Sequence, residues 1–425
     1  MKTETRMILK GDAKEALIHL PASKSQVHRA LITAALTEGT TVIRNVTYGN
    51  DIRATIRLLR HFGAEITDET DRIIVKGVSR PVFDHQELEC GESASTLRFL
   101  IPLAALSGDD AVFVCEGRLH ERPQTVYEKL FEEKGLRFEQ EGNRICVRGP
   151  LQGGIYEVRG DVSSQFISGL LFALPLCEED SEIRILPPFE SAPYADMTLN
   201  FLQKSGIDAK RDGLTIKIRG NQSYHAADFE AEGDESQAAF AAMIPFVLNI
   251  PVRISGMPHH DGQADHALTG ILRNMGADIQ RTEDGYRMEP SSLHGITASL
   301  ADCPDLGPAL FALASLAEGT SVFTDGRRLR IKECDRIAAM EEEMCKLGCV
   351  IDSTTDTVTV TGRTEIRGGA VLSSHRDHRV TMALSLLALA GEIPSVMEGS
   401  EAVDKSWPDF YHVMTKAKVM KEAAE

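Results

Sequence analysis

The chain has 425 residues, too many for one ordinary core, so two domains are the default. Hydrophobic residues make up 42% and charged residues 26%, as in a soluble globular protein, and a formal net charge of −17 without a basic tract argues against nucleic acid or an anionic membrane as partner. The charged start MKTETRMILKGDAKE has no signal-peptide core, apolar runs such as AAFAAMIPFVL are far short of a bilayer span, and the eight cysteines (90, 115, 146, 177, 303, 334, 345 and 349) include no CxxC pair, so they read as reduced thiols of a cytosolic protein.

From the N-terminus, the strand-like TRMILK precedes SKSQVHRA, Ser23 to Ala30, which runs into the apolar helix LITAALTEG. Lys24 and Arg29 stand on its first turns, where cations oppose the helix dipole. Two readings remain open at this point: a serine cap flanked by solvated basic side chains, or an anion site. An amphipathic helix opens near Asp51 and ends at LLRHFGAEI, and AEITDETDRIIVKG follows as two short alternating strands.

This set then recurs. Glycines that suit a left-handed helix C-cap fall at Gly63, Gly135, Gly206, Gly276 and Gly348, at intervals of 70 to 72 residues. Apolar helices with polar starts begin at residues 25, 95, 164, 236, 305 and 377. Amphipathic helices open near Asp51, Arg122, Tyr194, Asp265, Glu333 and Lys405; the last, SWPDFYHVMTKAK, reaches the C-terminus without a hairpin, and TRMILK is expected to complete that unit. Six units of about 70 residues exceed the common helical solenoid repeats, so three units in each of two domains is the simplest grouping. The first helix of each unit is apolar nearly all round (ALITAAL, ALFALASLA, MALSLLALA), which predicts helices inside and sheets outside.

If the units are related by rotation, their helix N-termini converge. Those ends carry Ser25, Arg29, Ser95, Arg98, Ser163, Ser164, Gln165, Asp305, His378 and Arg379, joined by Arg122, Lys332, Glu333, Arg336 and Lys405 from the second helices. Free backbone N–H groups and arginine forks bind carboxylate and phosphate. The expected ligand is small and has more than one anionic group.

The segments SKSQVHRA, HERPQ, DVSSQF, Ser191-Ala-Pro-Tyr194, RIKECDR, DHR and KSWPDF, in that order and over essentially the whole chain, resemble the 5-enolpyruvylshikimate-3-phosphate synthase family. The resemblance implies an α/β fold, a two-domain inside-out α/β barrel of six βαβαββ repeats, three per domain. One domain would be 21–232 and the other 1–20 with 233–425, closed by the N-terminal strands and drawing together around ligand. It implies a cytoplasmic, monomeric enzyme that transfers the enolpyruvyl group of phosphoenolpyruvate to the 5-hydroxyl of shikimate-3-phosphate, without metal or organic cofactor. Carried over, Asp305 is the base, and Glu333 and Lys24 share the proton exchange at C3. Lys24, Ser25, Arg29, Ser163, Ser164, Gln165, Ser191, Asp305 and Lys332 bind shikimate-3-phosphate. Lys24, Ala94, Arg122, Gln165, Arg336, Arg379 and Lys405 bind phosphoenolpyruvate. Without the resemblance, Arg336 reads as a surface ion pair and Asp305 as a helix cap.

Three places depart from the family pattern. The loop usually written GNAGT is here GESAS, with Ala94 for a glycine that lies against phosphoenolpyruvate and Glu92 for an amide. Arg328 stands where many members have Asn, and GND, Gly49 to Asp51, is less acidic than usual. The Ala94 methyl implies tolerance of glyphosate, the longer molecule in that site. The nearest alternative activity uses UDP-N-acetylglucosamine as acceptor and carries a loop cysteine shortly before an Arg-Pro pair; Cys115, at the end of the strand-like AVFVC, reads instead as a buried strand thiol.

Overall fold

The computed structural model describes residues 3–83, 87–257, 263–363 and 365–422. The glycines that end the amphipathic helices all have positive φ: 95° at Gly63, 67° at Gly135, 80° at Gly206, 95° at Gly276 and 89° at Gly348. A residue with a Cβ is strained there, so these positions stop the helix and aim the chain into the next hairpin.

Two compact units result. One gathers Ser23–Ala231; the other gathers the chain before Ser23 and, save a few residues around Gln263, the chain after Ala231. The described strands form six four-stranded sheets with one repeated order. In the simplest case Leu88–Gly91 lies parallel to Asp110–Cys115, which pairs antiparallel with Arg144–Arg148, itself paired with Arg137–Glu141. Gly154–Arg159, Ser181–Leu186, Thr215–Ile218 and Ala209–Asp212 repeat the arrangement, as do Thr297–Ser299, Thr320–Thr324, Val358–Thr361 and Val350–Ser353. Each remaining sheet borrows a distant strand. Phe229–Glu230 adds to Gly39–Arg44, Ala16–His19 adds to Val252–Ser255, and Thr5–Lys10 lies between Ser395–Glu398 and Met420–Lys421. The last unit therefore has a two-residue strand after its final helix, too short to be read from periodicity.

The apolar helices Lys24–Ala35, Ala94–Ala104, Ser164–Ala173, Glu235–Ala241, Gly307–Leu316 and His378–Leu387 are buried almost throughout, while strands such as Ser181–Leu186 alternate buried and outward positions. Helices therefore fill the interior of each unit and the sheets face outward, because only the sheets have a polar side to give to water.

Close packing of the inner helices has a specific point of contact. A Cβ added at Gly169 would fall 2.2 Å from the Arg98 carbonyl oxygen and 2.2 Å from the Tyr127 hydroxyl. That hydroxyl lies 2.7 Å from the Arg98 carbonyl and 3.1 Å from the Phe166 carbonyl, in a site closed by buried rings. Gly169→Ala gains up to about 1 kcal/mol of helix propensity but adds overpacking of about 1–3 kcal/mol against backbone that cannot move away. The expected result is a lower thermal midpoint; an unchanged or raised midpoint would show that the two helices can separate at no cost.

Candidate active site

In the unit spanning Ser23–Ala231, Ser23 precedes the first inner helix without a side-chain capping bond. The two cations of that helix are not solvated. Lys24 Nζ lies 2.8 Å from Asp51 Oδ2, and the Asp51 side chain is nearly covered. Arg29 is 2% exposed. Its nitrogens donate to Thr198 Oγ1 at 2.9 Å, the Ser25 carbonyl at 2.8 Å and the Tyr194 carbonyl at 3.0 Å, and its guanidinium lies 5.2 Å from the Phe99 ring centroid. Burial lowers its pKa to about 10, which still leaves it charged at neutral pH. No carboxylate pairs with Arg29 among the described residues. A desolvated cation held only by neutral acceptors is a standing attraction for an anion.

Gln165 is clamped between its neighbours: its Oε1 accepts from Arg98 at 2.9 Å and its Nε2 donates to Ser95 Oγ at 2.9 Å. Ser163 caps the helix that starts at Ser164, accepting from Gln165 N. Ser191 holds a left-handed turn, φ 56°, at the start of Ala192–Lys204. Arg122 follows a 3-10 turn and is nearly buried. Ala94 is the first residue of its helix, capped by Ser93, and is also buried. Glu92 lies against Gly117, where its carboxylate would meet any added Cβ.

The other unit concentrates charge. Arg336, 1% exposed, gives each of its three nitrogens to a different carboxylate: Nε to Asp377 at 2.7 Å, NH1 to Asp305 at 2.8 Å and NH2 to Glu333 at 2.9 Å. Asp305 also meets Arg379 NH2 at 3.0 Å and Lys332 Nζ at 3.4 Å. Burial alone would raise the Asp305 pKa, but Arg379, Lys332 and Arg336 hold it well below the usual carboxylate range. It is an ionised acceptor at neutral pH. Asp305 caps no helix: it sits in the 3-10 turn Pro304–Leu306, ahead of Gly307–Leu316, with its carboxylate turned to the cations. Asp377 is the cap here, accepting from the backbone N–H groups of Arg379 and Val380 while its other oxygen takes Arg336. Lys405 ends the turn Ser400–Lys405 and is nearly buried.

Within each unit the structure thus brings some of the expected residues into connected clusters, while Ala94, Arg122, Ser164, Ser191 and Lys405 are placed at element ends outside those sets. Lys24, Ser25 and Arg29 form one set, Ser95, Arg98, Ser163 and Gln165 another, and Asp305, Lys332, Glu333, Arg336 and Arg379 a third. The sequence reading omitted Asp51, Asp265 and Asp377 from the site. Asp265 is buried, accepts from the Ser236 hydroxyl, and has its pKa raised by burial and then by the nearby Asp305 charge. The repeat was the available signal for two of them, since Asp51 and Asp265 open the second helix of their units; Asp377 lies within DHR.

Residues 9–414 match the EPSP synthase (3-phosphoshikimate 1-carboxyvinyltransferase) family. The chain belongs to the EPSP synthase family. It is 39% identical over 402 residues to a 3-phosphoshikimate 1-carboxyvinyltransferase of Clostridium kluyveri, covering 93% of each chain, and 37% identical over 406 residues to that of Clostridium novyi, again 93% of each. Its α/β fold is that of solved EPSP synthases. The Acinetobacter baumannii structure superposes with a TM-score of 0.80 at 26% identity over 98% of both chains. An enolpyruvyl transferase, NikO of Streptomyces tendae, shares the fold with a TM-score of 0.79 at 18% identity over 98% of both chains.

For an EPSP synthase, Cys115 is the expected bystander. It ends the strand Asp110–Cys115, is buried, and burial pushes its pKa to about 12, so almost no nucleophilic thiolate exists at neutral pH. Arg328 is buried and donates to the Ala301 carbonyl. Among the described residues, no helix is long and apolar enough to cross a membrane.

The Arg336 network gives a direct prediction. Arg336→Met would leave Asp377, which is fully buried, without its guanidinium. Removing one partner of such a pair costs about 3–5 kcal/mol. The midpoint of urea unfolding should fall accordingly, and an unchanged midpoint would show that Asp377 is satisfied by its capping bonds alone.

Proposed function

We propose a residue-by-residue account of the reaction that defines the EPSP synthase family, transfer of the enolpyruvyl group of phosphoenolpyruvate to the 5-hydroxyl of shikimate-3-phosphate with release of phosphate. The observation that carries it is the Asp305 carboxylate held among Arg336, Arg379 and Lys332. Phosphoenolpyruvate brings a carboxylate and a phosphate, the two groups that arginine forks bind best. Arg122, Arg336, Arg379 and Lys405 hold it. As Arg336 and Arg379 turn hydrogen bonds from Asp305 to the substrate, the positive field on Asp305 weakens and its proton affinity rises. The base strengthens as the site fills.

Arg29, Ser25, Ser163, Ser164, Ser191 and Lys332 hold shikimate-3-phosphate, with Gln165 touching both substrates. C3 of phosphoenolpyruvate gains a proton, C2 becomes electrophilic, the 5-oxygen attacks it, and Asp305 takes the hydroxyl proton. The tetrahedral ketal phosphate then loses phosphate from C2 and a proton from C3, which restores the alkene. Glu333 and Lys24 share the C3 proton. Glu333 lies 2.9 Å from Arg336 NH2 and Lys24 Nζ lies 2.8 Å from Asp51 Oδ2, so an oppositely charged partner holds each in place. The reading requires two small anionic substrates and neither metal nor organic cofactor, and places a monomeric enzyme in the cytoplasm.

Asp305→Asn retains shape and removes the proton acceptor. Turnover should fall by about 10²-fold or more, the usual scale for general base catalysis, while shikimate-3-phosphate still binds by calorimetry. Nearly unchanged turnover would reduce Asp305 to a charge partner of the arginines.

Ala94 adds a methyl at the start of its helix, one residue before Ser95, whose hydroxyl accepts from Gln165 Nε2. Overpacking costs about 1–3 kcal/mol, and about 1.4 kcal/mol is tenfold in affinity. Glyphosate reaches further towards the loop than phosphoenolpyruvate, so it bears more of that cost, and the enzyme is expected to tolerate it. Ala94→Gly should tighten the glyphosate inhibition constant measured against phosphoenolpyruvate. Tight inhibition of both forms would show that the methyl faces elsewhere; weak inhibition of both would put the tolerance in another part of the site.

A further inference from the structure

A row of polar side chains crosses the interior of the unit spanning Ser23–Ala231 with no role in the reaction as described. His28, on the first inner helix, is 1% exposed; Thr55, Thr96 and Ser93 are fully buried. His28 Nδ1 lies 2.8 Å from Thr55 Oγ1, Thr55 Oγ1 lies 2.7 Å from Thr96 Oγ1, and Thr96 Oγ1 donates to Ser93 Oγ at 2.7 Å. One directed assignment joins all four: the imidazole N–H donates to Thr55, Thr55 to Thr96, and Thr96 to Ser93, the shorter of its two acceptor contacts. Ser93 accepts a second bond, from the Thr96 backbone N–H at 3.3 Å, as the cap of the helix that begins at Ala94. Buried hydroxyls aligned head to tail polarise one another, and each is costly to leave unpaired.

The row joins three segments that are distant in sequence, namely the Lys24–Ala35 helix, the Asn50–His61 helix and the turn Gly91–Ala94. It ends on that turn. The Asn50–His61 helix also carries Asp51, whose side chain holds Lys24 and whose carbonyl lies 3.4 Å from Thr96 Oγ1. A core that needed only volume here would use valine, which has the shape of threonine and no hydroxyl. Four consecutive polar groups placed where water does not reach specify a position for what they end on.

We propose that the His28–Thr55–Thr96–Ser93 chain is a positioning device that fixes the Ser93–Ala94 turn, and so sets both the affinity for phosphoenolpyruvate and the discrimination against longer anions in its place. None of the four residues is proposed to touch substrate. This inference rests on the reading that Ala94 borders phosphoenolpyruvate. When the chain is cut, the turn relaxes, the Ala94 methyl loses its fixed place, and discrimination falls with it. Arg29 and Ser25, which face the other substrate, keep their own partners.

The test is Thr96→Val, which removes one hydroxyl at constant shape, with Thr96→Ser as the conservative rescue. Steady-state kinetics are taken with both substrates varied, and glyphosate inhibition is measured against phosphoenolpyruvate. Thr96→Val should raise KM for phosphoenolpyruvate about tenfold, the scale of one unmade buried hydrogen bond. KM for shikimate-3-phosphate should change much less, the ratio of the glyphosate inhibition constant to the phosphoenolpyruvate KM should fall, and Thr96→Ser should restore both. Thr55→Val should give the same split, and the double variant should be no worse than either single one, because the chain is already cut. A lower melting temperature with neither KM moved would overturn the proposal and leave the chain a structural one. Equal changes in both KM values would overturn it too. A native protein that releases no phosphate from the two substrates would overturn the reading of function instead, and the two failures are told apart by that control.

Discussion

A guanidinium at 1% exposure has to find its compensation inside the protein, and Arg336 finds it in three carboxylates from three stretches of chain. Much else in the unit built from the N- and C-terminal parts of the chain follows from that need. Asp377 must be buried to reach Nε, so it also caps the helix of Arg379; Asp305 must turn away from its own helix, so it becomes a carboxylate among cations rather than a cap. An arrangement with such mutual dependence resists piecemeal change, since deleting any member leaves a desolvated charge. It also suits the binding of anions, because Arg336, Arg379 and Lys332 are neutralised by an internal carboxylate that an arriving anion can replace.

In the unit spanning Ser23–Ala231, Arg29 meets the same demand with neutral partners. Arg29 is surrounded by carbonyl and hydroxyl oxygens and an aromatic face, and Gln165 is fixed by Arg98 and Ser95 before any ligand arrives. Preorganised donors lose little entropy on binding. The two clusters thus differ in kind: one ties Arg336 to three internal carboxylates, while in the other Lys24 is paired with Asp51 and Arg29 has no carboxylate partner among the described residues.

Much of this was legible in the sequence because of repetition. Five glycines at near-constant spacing announced the helix ends, and all five have the positive φ that such ends require. The helices whose apolar residues covered every face were the buried ones. What stayed illegible depends on burial and on distant pairs. Lys332, Glu333 and Arg336 look like a surface ion-pair run, and only the fold shows that Arg336 is sealed and tied to Asp377, 41 residues on. Asp305 stands where a cap would stand, yet its carboxylate obeys the arginines. The strand Met420–Lys421 has two residues and no period to detect. His28, Thr55, Thr96 and Ser93 are individually ordinary, and their row exists only where three segments meet.

The central claim is that these cation clusters serve enolpyruvyl transfer to shikimate-3-phosphate. The most direct measurement is phosphate release from phosphoenolpyruvate, followed in parallel with shikimate-3-phosphate and with UDP-N-acetylglucosamine as acceptor. The account predicts one phosphate released per shikimate-3-phosphate consumed and none above background with the nucleotide sugar. Release that depends on UDP-N-acetylglucosamine, or that ignores the acceptor altogether, would contradict it.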